Sequence, residues 1–170
     1  MQKWLILFLS LTCFTIQAQD TEAEILEHAL SEARRMSKSF LDRDFNSFVD
    51  LTHPRLVEAM GGKQAMIDRI SQPIGEGVEI LSQQVLKVVG NLIKTDESYQ
   101  CAFKQKMVLK MQGTDYYTNS SLIGISYDEG ATWVFIGVSG RTLGEMQEFF
   151  TELSDDLQIS PQTRPMPVEN

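Results

Sequence analysis

The chain has 170 residues, 42% of them hydrophobic, and a formal net charge of −8 at pH 7. That length builds a single domain whose core stands without disulfide or metal staples. The acidic balance excludes a surface of clustered Lys and Arg, so neither nucleic acid nor an anionic membrane is an expected partner.

In chain order, Met1-Gln2-Lys3 is a short basic start, Trp4 to Phe14 is an apolar run, and Thr15-Ile16-Gln17-Ala18 ends on a small residue. This is the order of a secretory signal. A spanning helix needs about 20 apolar residues, so the expectation is cleavage after Ala18, a secreted or periplasmic location and no stable membrane insertion afterwards. Cys13 follows Ser10-Leu11-Thr12 inside the apolar run, which lacks the aliphatic residue and two small ones of a lipid-attachment site. Removing residues 1–18 leaves 152 residues at a net charge of −9, with Cys101 the lone cysteine. No intramolecular disulfide is then available, and a single strand cysteine is expected to act as a small buried hydrophobe. Signal and lone cysteine together point to a bacterial exported protein.

Thr21-Glu22-Ala23-Glu24 has the capping-box pattern. Ile25, Leu26, Ala29, Leu30, Ala33, Met36, Phe40 and Leu41 then recur at helical spacing. Asp44 is placed to cap a short helix carrying Phe45, Phe48 and Val49. His53-Pro54 and Gly61-Gly62 break the chain. Lys63 to Ile70 makes a further helix, and Pro73, Gly75 and Gly77 close the helical half.

Val78 to Val89 reads as a strand interrupted by Ser82-Gln83-Gln84, where a bend or bulge is expected, with a turn inside residues 91–98. Tyr99, Cys101, Phe103, Gln105, Met107, Leu109 and Met111 alternate with Gln100, Lys104, Lys106, Lys110 and Gln112, predicting a long antiparallel strand with one wet face. A turn at Gly113-Thr114-Asp115 leads into Tyr116 to Tyr127, and Asp128-Glu129-Gly130 into Thr132 to Val138. Thr142-Leu143-Gly144-Glu145 repeats the capping box before an apolar stripe of Leu143, Met146, Phe149, Phe150, Leu153 and Leu157, predicting an amphipathic helix over 142–157. Pro161, Pro165 and Pro167 predict a disordered tail over 159–170. The domain proper is expected over 19–158.

Helices followed by long, bent antiparallel strands resemble the nuclear transport factor two-like superfamily, also called SnoaL-like or cystatin-like cones. Phe45 to Ile70 carries the likeness best, with its short helix, His53-Pro54, and Gly61-Gly62-Lys63-Gln64-Ala65 opening the next helix. The resemblance spans about residues 20–140 and implies an α+β fold with a bent sheet around the long helix and a pocket at its open end. The helix at 142–157 is extra to it. Some members of this superfamily are isomerases or dehydratases with Asp, His or Tyr in the pocket; others bind ligands or dimerise across the sheet. A shorter likeness is the Asp-box S-x-D-x-G-x-T-W, matched by Ser126, Asp128, Gly130, Thr132 and Trp133. It implies a β-hairpin whose Asp and hydroxyl side chains satisfy turn amides. A single copy builds no propeller, so its role is structural.

His53, before Pro54 and near Asp50, is the one candidate general base. His28 sits on the long helix and reads as solvent-facing. No histidine pair or carboxylate cluster has metal-ligand spacing, no loop cradles a phosphate, and no cofactor is implied. Asn119-Ser120-Ser121 matches a glycosylation sequon but falls mid-strand. Tyr99, Phe103, Gln105, Met107, Tyr117 and Trp133 are the candidate lining of an amphipathic pocket for a small organic ligand. The residues thus lead to a binding or interaction domain that is not catalytic and forms a homodimer through its sheet; the alternative is a small-molecule isomerase, dehydratase or hydrolase using His53 or a buried carboxylate.

Overall fold

The computed structural model describes residues 14–73, 75 and 77–168, with side chains from residue 21 onward. The secretion signal expected over residues 1–18 lies outside them but for the backbone of 14–18, which is helical. The fold is α+β: helices precede an antiparallel sheet of five strands. No helix among the described residues is long and apolar enough to cross a membrane.

Helix α1 runs Phe14–Leu41. Helical chain therefore precedes Thr21, and the capping box there does not open the helix as expected; the amides it would satisfy already have carbonyls one turn back. Ala29, Ala33 and Met36 are buried against the sheet, with Ile25, Leu26 and Leu30 packed beside them. The small residues at 29 and 33 let the helix approach closely. Helix α2 (Phe45–Asp50) is capped by Asp44, whose carboxylate accepts from Ser47 N–H. Phe40 holds α1 against α2 through the rings of Phe45 and Phe48, at centroid distances of 6.1 and 5.3 Å. The chain breaks at His53-Pro54 as expected, α2 ending at Asp50, and a short further helix that was not expected, α3 (Pro54–Ala59), starts there, with Pro54 in the first turn where its missing N–H costs nothing. Helix α4 spans Lys63–Ile70, as predicted.

Strands β1 (Val78–Lys94), β2 (Tyr99–Met111), β3 (Thr114–Ser126) and β4 (Val134–Val138) form an antiparallel meander in that order. The register slips between Ile80 and Ser82, between Val85 and Lys87, and between Val89 and Ile93, so irregularities flank the expected bend. Strand β1 runs on to Lys94, and the turn expected inside residues 91–98 falls at 95–98, where Thr95 N donates to Ser98 O at 2.9 Å. Bulges increase twist and discourage pairing with another chain. Two side chains of α1 also cap the outer edge of β1: Ser37 Oγ donates to Gln83 O at 2.8 Å and Arg34 Nε to Val85 O at 3.4 Å. At the opposite edge, residues 51–53 run parallel to β4, with Phe135 N donating to Leu51 O and His53 N to Phe135 O.

The face of the sheet toward α1 holds one core cluster, centred on Cys101, Phe103, Leu122, Trp133 and Phe135. Gly124 makes that packing feasible, since a Cβ there would stand 3.1 Å from both the Phe103 and Phe135 rings. The far face carries a second cluster: Ala102, Ile123, Ile125, Ile136 and Val138 are covered by Met146, Phe150, Leu153 and Leu157. The covering segment is not the predicted helix. Only α5 (Leu143–Gln147) is helical, opened by the Thr142–Glu145 capping box, and the chain then proceeds as successive turns. Consequently the face of β2 expected to be wet is wet only from Lys104 onward; Gln100 and Ala102 are buried. The tail expected to lack order runs along the free edge of β3. Met166–Pro167 (β5) pairs with Tyr117 and Tyr116, Thr163 N donates to Asn119 O, and Thr118 Oγ1 donates to Thr163 O at 2.7 Å. Prolines, lacking N–H donors, are tolerated at such an edge.

The hairpin between β3 and β4 has the geometry its motif implies. Asp128 accepts from Ser126 Oγ (2.8 Å), Thr132 N (2.8 Å) and Thr132 Oγ1 (2.6 Å). These bonds hold its carboxyl below the usual range. Ser126 Oγ in turn accepts from Gly130 N at 2.8 Å, and the buried Trp133 donates Nε1–H to Gly130 O at 3.1 Å. His28 is exposed, as expected, and its Nδ1 lies 3.0 Å from the same carbonyl and donates to it. Gly130 has φ +93°, and a Cβ on it would come 2.9 Å from Ile25 Cγ2. Gly130→Ala is therefore expected to lose about 2 kcal/mol, read as a lower urea midpoint; an unchanged midpoint would show that α1 gives way freely at Ile25.

Candidate functional site

A cavity of about 200 Å³ lies between α1 and the sheet, at the end of β2 beyond Phe103. Its apolar wall includes Met36, Phe48, Met107 and Leu122, and its polar groups come from Ser37, Gln83, Gln105, Thr118, Ser120, Ser139 and Gln162. Among the described residues no Asp, Glu, Lys, Arg or His lines it. Register explains the convergence: Gln105 faces Ser120 and Met107 faces Thr118 across the β2–β3 ladder, so the four side chains share the α1 side.

The polar groups fall into two sets. Ser37 and Thr118 hydroxyls are committed to the carbonyls of Gln83 and Thr163. Gln105 is 5% exposed, yet its carboxamide makes no hydrogen bond among the described residues. The surface it keeps opens into the cavity. Ser139 and Gln162 are exposed, whereas Gln105 is nearly enclosed. The tail thus contributes a wall, with the Gln162 carboxamide resting against Gly140.

The six predicted lining residues separate. Gln105 and Met107 line the cavity. Phe103 and Trp133 are fully enclosed core, and Tyr99 packs half-buried against it, with the Lys94 ammonium 5.4 Å from its ring. Tyr117 lies on the other side of the sheet: it faces Val108, and the Lys106 ammonium stands 4.9 Å from its ring. Ser37, Gln83, Thr118, Ser120, Ser139 and Gln162 escaped the sequence reading.

His53 is absent from this cavity and belongs to a separate cluster. It is 4% exposed, capping α3, and its Nδ1 accepts from Arg55 N–H at 3.3 Å. The ring proton therefore sits on Nε2, which lies 2.9 Å from Tyr127 Oη and 3.3 Å from Glu152 Oε1. Arg55 Nη1 is 3.7 Å from the other oxygen of Glu152. Burial pulls the His53 pKa below its ordinary value, Glu152 opposing and Arg55 adding to the effect. Burial, then Glu152, pushes the Tyr127 phenol up to about 12. With one lone pair on a backbone amide and the other nitrogen protonated, neutral His53 has no free base nitrogen.

Cys101 is fully buried, and burial pushes its thiol far above the ordinary value, so no thiolate nucleophile is available there. Asp44 caps a helix, while Asp42 and Asp50 pair with Lys38 and Lys63. Among the described residues no group of three or more His, Cys, Asp and Glu is placed to hold a metal ion. Comparison of the chain with protein-family models, curated proteins and solved structures found no match.

Proposed function

We propose that this chain is a small-ligand-binding domain of the nuclear transport factor two-like, cone-shaped kind, exported by its N-terminal segment and not itself catalytic. The observation that carries the reading is the cavity between α1 and the sheet, with no charged side chain in its lining among the described residues, where the nearly enclosed Gln105 keeps an accessible carboxamide that makes no hydrogen bond among them. A carboxamide on a nearly enclosed residue that stays accessible and lines a cavity is a group placed to bond what enters it. The engaged nitrogens of His53 weigh against the isomerase, dehydratase or hydrolase alternative. Export is compatible with the helix: cleavage after Ala18 would leave the Thr21–Glu24 box close to a new end of α1, where its side chains could cap it. A homodimer through the sheet is less favoured. Residues 143–159 cover part of the far face, and on the rest Lys104, Lys106 and Lys110 would meet like charges in parallel stacking.

Native mass spectrometry of the protein purified gently from its own host tests the reading. We expect a polypeptide beginning at Gln19 and a retained small molecule released on collisional activation. A ligand-free protein that also takes up nothing from a metabolite extract would overturn the binding function.

A further inference from the structure

The structure assigns the cavity a ligand class: a small, uncharged molecule with a polar end that both donates and accepts, as a carboxamide does, and an apolar remainder. This rests on the binding reading above and goes further by fixing the chemistry.

Three observations carry it. The Gln105 side chain offers two N–H donors and an acceptor, and its cross-strand neighbour Ser120 adds a hydroxyl with no hydrogen bond among the described residues. A ligand end with both donor and acceptor can answer the amide in two parallel bonds; a pure acceptor or pure donor leaves part of it bare. Among the described residues the lining holds no ionisable side chain, so a carboxylate or ammonium entering would lose its hydration without gaining a counter-charge there, which is strongly unfavourable. Met36, Phe48, Met107 and Leu122 offer the remainder an aromatic ring, two thioethers and an aliphatic wall. At about 200 Å³ the space equals that of six or seven bulk waters at ~30 Å³ each, which limits the ligand to roughly the size of a single substituted ring.

The experiment compares benzamide, benzoate, benzylammonium and toluene, similar in shape and different in charge and hydrogen bonding, by ligand-observed NMR titration. The protein is the wild type and the near-isosteric Gln105→Met, with Ser120→Ala as a second variant should Gln105→Met melt early. The expected result is binding of benzamide at least about tenfold tighter than of the two ions or toluene, with Gln105→Met reducing that preference by about tenfold. Toluene or benzoate binding as well as benzamide would overturn the ligand class while leaving the binding function standing. No binding of any probe up to millimolar concentration would overturn the ligand class, the binding function then standing or falling on uptake from the metabolite extract. A benzamide preference surviving both variants would also overturn the assignment, because it would place the polar contact elsewhere.

Discussion

Phe150→Ala is expected to destabilise the protein by about 3–5 kcal/mol, the usual cost of emptying a buried aromatic site. The ring is 2% exposed and packs with Ala102, Ile123, Ile125 and Ile136 on the far face of the sheet. It also meets Phe149 at 4.8 Å and His53 at 5.1 Å between centroids, both edge-on. At this chain length such a loss lowers the melting midpoint by roughly 6–20 °C. Phe149→Ala is the control: that ring is 36% exposed and meets the Arg55 guanidinium at 5.2 Å besides Phe150, so we expect a loss below about 1 kcal/mol. Equal effects would mean that both rings line one helical stripe, as periodicity alone proposes. A small effect at Phe150 would mean that the far face is not covered in solution.

The contrast shows where sequence pattern ran out. Met146, Phe150, Leu153 and Leu157 keep helical spacing, and all four are buried. The spacing survives because the chain turns repeatedly: Phe150 N bonds to Met146 O, Leu153 N to Phe150 O and Leu157 N to Ser154 O. Successive turns return a side chain to the sheet every three or four residues, as a helix does, so periodicity cannot separate the two. Such a segment leaves backbone groups that a helix would satisfy itself. Gln100 supplies them, donating to Glu152 O at 2.7 Å and accepting from Ser154 N at 2.9 Å while wholly buried. A glutamine on a strand face that then meets an irregular segment was the available clue.

The candidate site was half legible for a similar reason. Alternation along β2 placed Gln105 and Met107 correctly on the α1 side. Tyr117 was assigned to the wrong face, and the turn was read as three residues, Gly113-Thr114-Asp115, which does not give the register observed. The turn is instead two residues, Gln112 and Gly113, with φ of 51° and 83°, as tight hairpins of this kind require. Met111 then faces Thr114, and counting back puts Tyr117 opposite Val108 and Ser120 opposite Gln105. One residue of slip moves every β3 side chain to the other face. Gln83, Ser139 and Gln162 depended on bulges and on the docked tail, which no local pattern encodes.

His53→Ala is expected to cost about 2–4 kcal/mol at pH 7.5, and the cost should shrink in acid. The substitution removes the cap of α3, worth about 1 kcal/mol, and a nearly enclosed ring that touches Phe150. It also leaves Glu152 and Tyr127 without the Nε2–H between them. The acid dependence follows from the direction of the His53 shift. Burial holds its folded pKa below the ordinary value, so as pH falls through about 6.5 the unfolded chain takes up a proton that the folded one refuses. Wild-type stability declines across that window, from the unfolded pKa down to the lower folded one, and levels off below it. The groups facing the ring are Arg55, which opposes protonation, Glu152, which favours it, and Tyr127, which stays a neutral phenol throughout. His53→Ala has no such group to titrate, so the two stabilities converge between pH 7.5 and 5.5, measured by urea denaturation in matched ionic strength. A gap that widens in acid would show that the Glu152 carboxylate overcomes burial, that the imidazolium is the form the fold prefers, and that His53 and Glu152 work as an ion pair.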